Sequence, residues 1–186
     1  MVDKLKLSEG TPVLKTKRIT LRKFKINDAE NVHKNWAASE EVAKYTLWKP
    51  VSNFNDTVAY VSYWIRCYEN PKHMHWAIVL NDIDEVIGSI SVSDINAYKR
   101  TCNIGYTVGK EFWNKGIATE TLKMVLHYLT NYIGFKKIYG FYDVRNTASG
   151  RVMEKANMKF IKRKSKYFFS SKSFKIECNV YCYEDE

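Results

Sequence analysis

The chain has 186 residues, 45% of them hydrophobic, and its 30 Lys and Arg against 20 Asp and Glu leave a formal charge of +10. This length suits one ordinary domain over residues 1–186, and the opening stretch with Lys4, Lys6 and Glu9 fits neither a signal peptide nor a membrane anchor, so a cytoplasmic address is expected. Cys67, Cys102, Cys178 and Cys182 are spread without zinc or redox spacing; they read as buried, reduced thiols, and no metal is expected.

Ile19 and Leu21 alternate with polar neighbours, as in a strand with one buried face. Asn27 and Asp28 then offer cap oxygens to a helix that carries Ala29, Val32 and Trp36. A second helix is predicted after Asn55 and Asp56, where Val58, Val61, Ile65 and Tyr68 recur at helical spacing. Strands are predicted at 75–80, 86–95 and 101–108, with Asn81 and Asp82 turning between the first two. The most periodic helix follows, with Ala118, Leu122, Val125, Leu126, Leu129 and Ile133 on one face and Gly134 placed to end it. A strand at 137–144, a short helix at 149–156 and strands at 160–169 and 174–183 complete the order β-α-α-β-β-β-α-β-α-β-β, a mixed α/β (α+β) chain. Near its end Lys159, Lys162, Arg163, Lys164 and Lys166 crowd against Tyr167, Phe168 and Phe169. That segment reads either as an RNA contact or as an edge hairpin kept soluble by lysines.

Residues 103–120 run from a strand through a Gly-containing loop into the long helix. A helix start points unpaired backbone N–H groups at one spot and adds the positive end of the helix dipole, a combination that binds phosphate. Gly116 admits close approach of a ligand, Ala118 keeps the next position small, and Lys115 adds a charge. One Gly at a helix start also fits a simple capping turn. Downstream, Asn146 and Ser149 bring an amide and a hydroxyl to the start of the next short helix, followed by Arg151 and Lys155.

Taken together, these strings resemble the GNAT superfamily of N-acetyltransferases, and within it the RimJ/RimL-like branch. The resemblance runs from about residue 16 to 183 and rests on KRITLR at 17–22, VIGS at 86–89, IGY at 104–106, WNKGIATE at 113–120 and N-x-x-S at 146–149 with Glu154 and Lys155. It implies a GNAT fold, with a central, mostly antiparallel twisted sheet flanked by helices, and acetyl-CoA as co-substrate. It further implies that the backbone of Trp113, Asn114, Lys115, Gly116, Ile117, Ala118 and Thr119 holds the pyrophosphate, and that Tyr106, Thr107 and Val108 pair with the pantetheine arm. Asn146 would contact that arm, the Ser149 hydroxyl would protonate or hydrogen-bond the departing sulfur, and Lys155 belongs to the same CoA site. The chain departs from the superfamily at Trp113, where Gln or Arg is usual, and at Asn157 and Met158, which replace Gly-Phe; Asn157 can still take up the left-handed cap.

The implied reaction needs a neutral amine. With reference values of about 8 for an α-amine and about 10.4 for lysine, only the former is substantially neutral near physiological pH. Many relatives carry Glu where this chain has Asn103, so Asp94 and Glu177 are the carboxylates expected nearest the cleft, with His73, His75 or an ordered water as other bases. Of the rings Trp36, Tyr45, Trp48, Tyr60, Tyr63 and Trp64, most are assigned to the core and Trp48, beside Pro50, to the acceptor pocket. The expected acceptor is a protein N-terminus, ribosomal proteins included, with ribosome or RNA contact through the basic surface. A small amine such as an aminoglycoside or polyamine is the alternative, against which the positive charge argues. A non-enzymatic acyl-CoA-binding module is the reading from another class. A monomer and a homodimer fit equally.

Overall fold

Alternation along the strands divides the hydrophobic residues between two layers, one on each face of a single sheet. The computed structural model describes residues 5–168 and 174–184; Lys4 and Phe169 lie outside them. Its strands are β1 (Leu14–Lys15), β2 (Ile19–Arg22), β3 (His75–Leu80), β4 (Glu85–Asn96), β5 (Thr101–Val108), β6 (Lys137–Asp143), β7 (Lys159–Phe168) and β8 (Phe174–Glu184). They form one sheet in the order β1-β2-β3-β4-β5-β6-β8-β7. Every neighbouring pair is antiparallel except β5 and β6, which are parallel. This is the mixed, mostly antiparallel sheet that the resemblance implies.

The helices are α1 (Ala29–Val32), which continues through a π turn at His33–Ala37, α2 (Glu40–Ala43), α3 (Phe54–Cys67), α4 (Ile117–Tyr128), extended by a π turn at Leu129–Ile133, and α5 (Thr147–Lys155). On β3, Trp76 and Ile78 join the core layer that holds Leu122, Val125 and Leu126 of α4 and Met153 of α5. Ala77 and Val79 join the opposite layer, with Val32 and Trp36 from the first helix and Val61 of α3. Burying each large side chain contributes about 1.5–3 kcal/mol, so the alternation itself selects which face each helix covers.

Two elements escaped the periodicity: β1 has two residues and α2 a single turn, too short to show a repeat. The N-terminal caps also differ. Asn53 rather than Asn55 caps α3, its Oδ1 accepting from the Asn55 amide at 2.9 Å. Asp28 turns back to accept from the Lys25 amide at 2.7 Å and to receive a bidentate Arg22 at 2.7 and 2.9 Å. Gly134 (φ 95°) and Asn157 (φ 64°) do take the left-handed conformation expected after their helices. Cys102, Cys178 and Cys182 are buried thiols, whereas Cys67 is half-buried.

One interruption in the sheet creates the site. β5 pairs with β6 only from Thr101↔Lys137 to Ile104↔Gly140. Beyond that point residues 105–108 pair only with β4, and residues 141–143 only with β8. The two strands part, and each runs on toward the start of a helix, α4 or α5.

The β4–β5 pair leaves no room for a side chain at Gly88. A Cβ there would stand 2.2 Å from the Thr107 carbonyl oxygen and 3.0 Å from the Val108 Cα, and backbone cannot swing aside. Gly88→Ala is expected to destabilise the fold by about 2–3 kcal/mol, lowering Tm by about 5–10 °C in thermal unfolding followed by circular dichroism.

Candidate functional site

A cleft of about 1160 Å³ occupies the gap between β5 and β6 and passes from one face of the sheet to the other. On the α4/α5 face it is lined by Tyr106, Asn146, Ser149 and Met153. On the α1–α3 face it widens among the rings of Trp36, Tyr45, Trp48, Tyr60, Tyr63 and Trp64. Ser89, Ser91 and Ser93 line it from alternate positions of β4, while Ile90, between two of them, packs into the α4 layer.

The turn before α4 is built to leave its donors free. Asn114 (φ 60°) and Gly116 (φ 76°) are both left-handed, and none of the amides of residues 114–119 donates to an acceptor among the described residues. A Cβ on Gly116 would meet only the Arg18 Nη2, at 3.8 Å, so the approach to the turn is open. Consecutive amides in such a concavity, at a helix N-terminus, bind an oxyanion. Asn114, Lys115 and Gly116 are exposed, while Ile117 is buried and anchors the turn to the core. Trp113 folds back, its indole N–H donating to the Val108 carbonyl at 2.7 Å.

Sequence reasoning missed the clamp that holds this turn. Arg18 bonds Glu120 with Nη2 at 2.5 Å and Nε at 2.9 Å, and its Nη1 donates to the Lys115 carbonyl at 3.2 Å. Thr16 donates to the other Glu120 oxygen at 2.6 Å. Burial disfavours charge on Glu120, but the hydrogen bonds from Thr16 and Arg18 outweigh it and hold the carboxyl below its ordinary pKa. Arg18 and Glu120 stand inside the recognised strings, yet only the fold brings them together.

Asn146 caps α5, its Oδ1 accepting from the Ser149 amide at 3.3 Å. The Tyr106 hydroxyl lies 3.0 Å from Ser149 Oγ and 3.1 Å from the Ser149 carbonyl oxygen. Its one proton thus has two acceptors. Burial raises the Tyr106 pKa well above the ordinary value, so the phenol keeps that proton. The far edge of residues 105–108, next to this pair, has no strand partner among the described residues. An open edge of this kind accepts an extended amide chain. Thr107 lines the cleft, Val108 is buried, and Ala118 and Thr119 are half-buried in the first turn of α4. Lys155 is exposed on the last turn of α5, the end away from Ser149.

The carboxylates expected nearest the cleft do not line it. Asp94 sits at the irregularity where the β4–β5 register shifts after Ser93; it is exposed, and its Oδ2 accepts from Asn103 at 2.5 Å. Glu177 follows Ile176, which does line the cleft, so alternation sends Glu177 to the other face. There Ser165 donates to it, and with Lys175 and Arg163 nearby its pKa lies below the ordinary range, which makes it a poor proton acceptor. Asp56 and Asp143 are the acids of the cleft lining. Asp143 is buried and held by Arg145 at 2.9 and 2.5 Å, and that hydrogen bonding lowers its pKa. Of the six rings, Trp36 alone is fully buried; Tyr60 and Tyr63 are more than half exposed, which corrects their assignment to the core.

His75 lines the cleft, with its ring against Trp64 at 4.8 Å and Phe24 at 5.0 Å. Burial, and then the neighbouring His73, pushes its pKa down to about 3, and burial lowers that of His73 as well. His75 is therefore a poor base, and His73 does not line the cleft.

The family described as acetyltransferase (GNAT) domain matches residues 18–159. The uncharacterized N-acetyltransferase YoaA of Bacillus subtilis is 26% identical over 144 residues, 77% of this chain and 81% of YoaA. Among solved structures, the microcin C7 self immunity acetyltransferase MccE, in complex with acetyl-CoA and AMP, is similar with a TM-score of 0.78 and 20% identity, covering 91% of this chain and 94% of MccE. The ribosomal-protein-S5-alanine acetyltransferase from Vibrio fischeri has a TM-score of 0.73 at 15% identity, over 93% of this chain and 96% of its own.

His75 gives the site a pH signature. The unfolded chain takes up a proton on this ring near pH 6.5 and the folded chain only near 3, so its contribution is complete above 6.5 and is lost as pH falls through that window. By about pH 5 the loss reaches about 2 kcal/mol. His75→Phe keeps a ring against Phe24 and Trp64, and urea unfolding is expected to show a shallower fall in its stability between about pH 7 and 5 than in the parent.

Proposed function

The chain belongs to the acetyltransferase (GNAT) family and is an N-acetyltransferase; we propose that its acyl donor is acetyl-CoA and its acceptor the α-amine of a polypeptide N-terminus. The observation that carries the donor assignment is the left-handed turn at Asn114 and Gly116, whose amides find no acceptor among the described residues. MccE, with the same fold, holds acetyl-CoA. When bound, acetyl-CoA supplies a thioester already activated for acyl transfer.

The amides of residues 114–119 hold the diphosphate, and Lys115 adds a formal charge beside them. Residues 105–108 and Asn146 hydrogen-bond the amides of the pantetheine arm. Ser149 donates a hydrogen bond to the departing sulfur and keeps its proton, so the sulfur leaves as a thiolate. As it does so, the Tyr106 proton swings from the Ser149 carbonyl to Ser149 Oγ, within the distances of 3.1 and 3.0 Å, and steadies the hydroxyl without leaving the phenol.

The acceptor follows from the scarcity of bases. With Asp143 neutralised by Arg145 and His75 nearly powerless, Asp56 is the one other acid of the described lining, and the cleft suits an amine that is partly neutral beforehand. An α-amine, about a fifth neutral near pH 7.4, needs only water and the hydroxyls of Ser89, Ser91 and Ser93 to carry its proton away; a lysine side chain, about a thousandth neutral, needs more. Trp48 and its neighbouring rings hold the first residues of the acceptor. Two acids among the described residues of the lining are too few for a polycation such as an aminoglycoside or polyamine. Cysteines outside any disulfide among the described residues suit a reducing compartment, and we propose that the reaction takes place in the cytoplasm. Among the described residues no helix is long and apolar enough to cross a membrane.

Acetyl-CoA at about a hundred times its Kd is expected to stabilise the protein by about 2.7 kcal/mol, raising Tm by about 5–10 °C. Absence of that shift removes the donor assignment. Ser149→Ala should keep the shift and lose about a hundredfold in kcat, scored by thiol release with a free-amine peptide. A peptide blocked at its N-terminus but carrying lysine should remain unmodified; its modification overturns the acceptor assignment.

A further inference from the structure

The basic segment of β7 lies on the acceptor side of the sheet. Directly opposed residues of antiparallel strands point to one face. The register runs Phe141↔Val180↔Lys162 and Asp143↔Cys178↔Lys164 across β6, β8 and β7. Phe141 and Asp143 line the cleft on the α1–α3 side, so Lys162 and Lys164 share that face. A bulge produces this phase: Phe160 stands opposite Tyr181 and Lys162 opposite Val180, with Ile161 extra. Phe160 accordingly packs with Tyr181 on the α5 face, at 5.7 Å between ring centroids, and the lysines fall on the other.

Both lysines are exposed, and no carboxylate pairs with either among the described residues. Arg163, between them, goes to the opposite face, toward Glu177 at 3.7 Å. With strands about 4.8 Å apart, the lysine backbones stand about 10 Å from the cleft wall, and their own separation is about 7 Å, the side-chain repeat of an extended peptide. Lys49 lines the cleft mouth from the helical side and is also exposed.

We propose that this row, Lys162 and Lys164 on the cleft face of the β7–β8 hairpin, docks an acidic segment of the acceptor polypeptide that follows the amine to be acetylated. The inference rests on a polypeptide acceptor. A chain whose N-terminus enters the cleft leaves it across this face, and an extended segment with Asp or Glu at alternate positions matches the lysine spacing. Single-stranded RNA, the other polyanion, binds through aromatic platforms beside its basic groove. Directly opposite Lys162 and Lys164 stand Val180 and Cys178, both buried and neither aromatic, so at these two positions the row presents alternate charges and no stacking platform.

The test compares two free-amine peptides that share their first residues, one continued by alternating Asp and Glu, the other by Ser and Gln. Acetylation of the acidic peptide is expected to be favoured about tenfold in kcat/KM at low salt, with the ratio falling toward one in high salt and in Lys162→Glu/Lys164→Glu. Lys162→Ala/Lys164→Ala should give an intermediate ratio, and thermal melting checks that both variants fold. Fluorescence anisotropy of the labelled acidic peptide reads docking without turnover; its binding to the parent should weaken in both variants. Equal kcat/KM for the two peptides in the parent, or no binding of the labelled peptide, overturns the inference while leaving N-terminal acetylation intact. Oligouridylate binding that the charge reversal abolishes, with no peptide preference, also overturns it and makes the row a nucleic-acid contact. Docking without acetylation of either peptide supports the row and instead overturns the acceptor class.

Discussion

The parting of β5 from β6 after Ile104 and Gly140 is the constraint on which the rest of the molecule depends. Among the described residues these are the only parallel neighbours in the sheet, and each is followed by a helix, so both helix N-termini arrive beside the gap. Ligand sites at the carboxyl ends of parallel strands arise for this reason: the strands diverge, and the helix starts supply donors and positive potential. Had the two strands stayed paired to their ends, the edge of residues 105–108 would be satisfied and Ser149 would face a closed sheet.

The gap joins two chemically distinct chambers. The α4/α5 side offers amides, a clamped turn and a hydroxyl whose orientation is governed by the buried Tyr106. The α1–α3 side offers rings, serines and few acids. This asymmetry matches a reaction in which an anionic carrier and an amine approach one carbonyl from opposite faces of the sheet. The clamp of Arg18 and Thr16 on Glu120 gives the donor side its stiffness, because it ties the turn before α4 to β2 and its approach, four strands away in the sheet order from β6. β7 and β8 extend the α1–α3 face of the sheet beyond the cleft, and a single bulge selects the side on which the lysines fall.

Much of this was legible in one dimension. The long α4 declared itself through Leu122, Val125 and Leu126, its end through Gly134, and the free turn through Gly116 beside Lys115, since periodicity, caps and left-handed positions are properties of a few adjacent residues. The presence of Asn146 and Ser149 at the start of the next helix was also readable, whereas the cap that joins them came from the structure. By contrast, Asp94 and Glu177 looked close to the cleft because they end or occupy strands beside it, yet Asp94 reaches the lining only through Asn103 and alternation turns Glu177 to the far face.

What the sequence determined alone was the succession of elements, the string that shapes the turn before α4, and the membership in a family of acyltransferases. Tertiary structure decided where β5 and β6 separate, that Arg18 reaches Lys115, that Tyr106 meets Ser149, and which face carries Lys162 and Lys164. The physical reason is range: conformational preferences act between near neighbours, whereas strand register, bulge phase and side-chain pairing across about a hundred residues are settled only when the sheet closes and its two faces are buried.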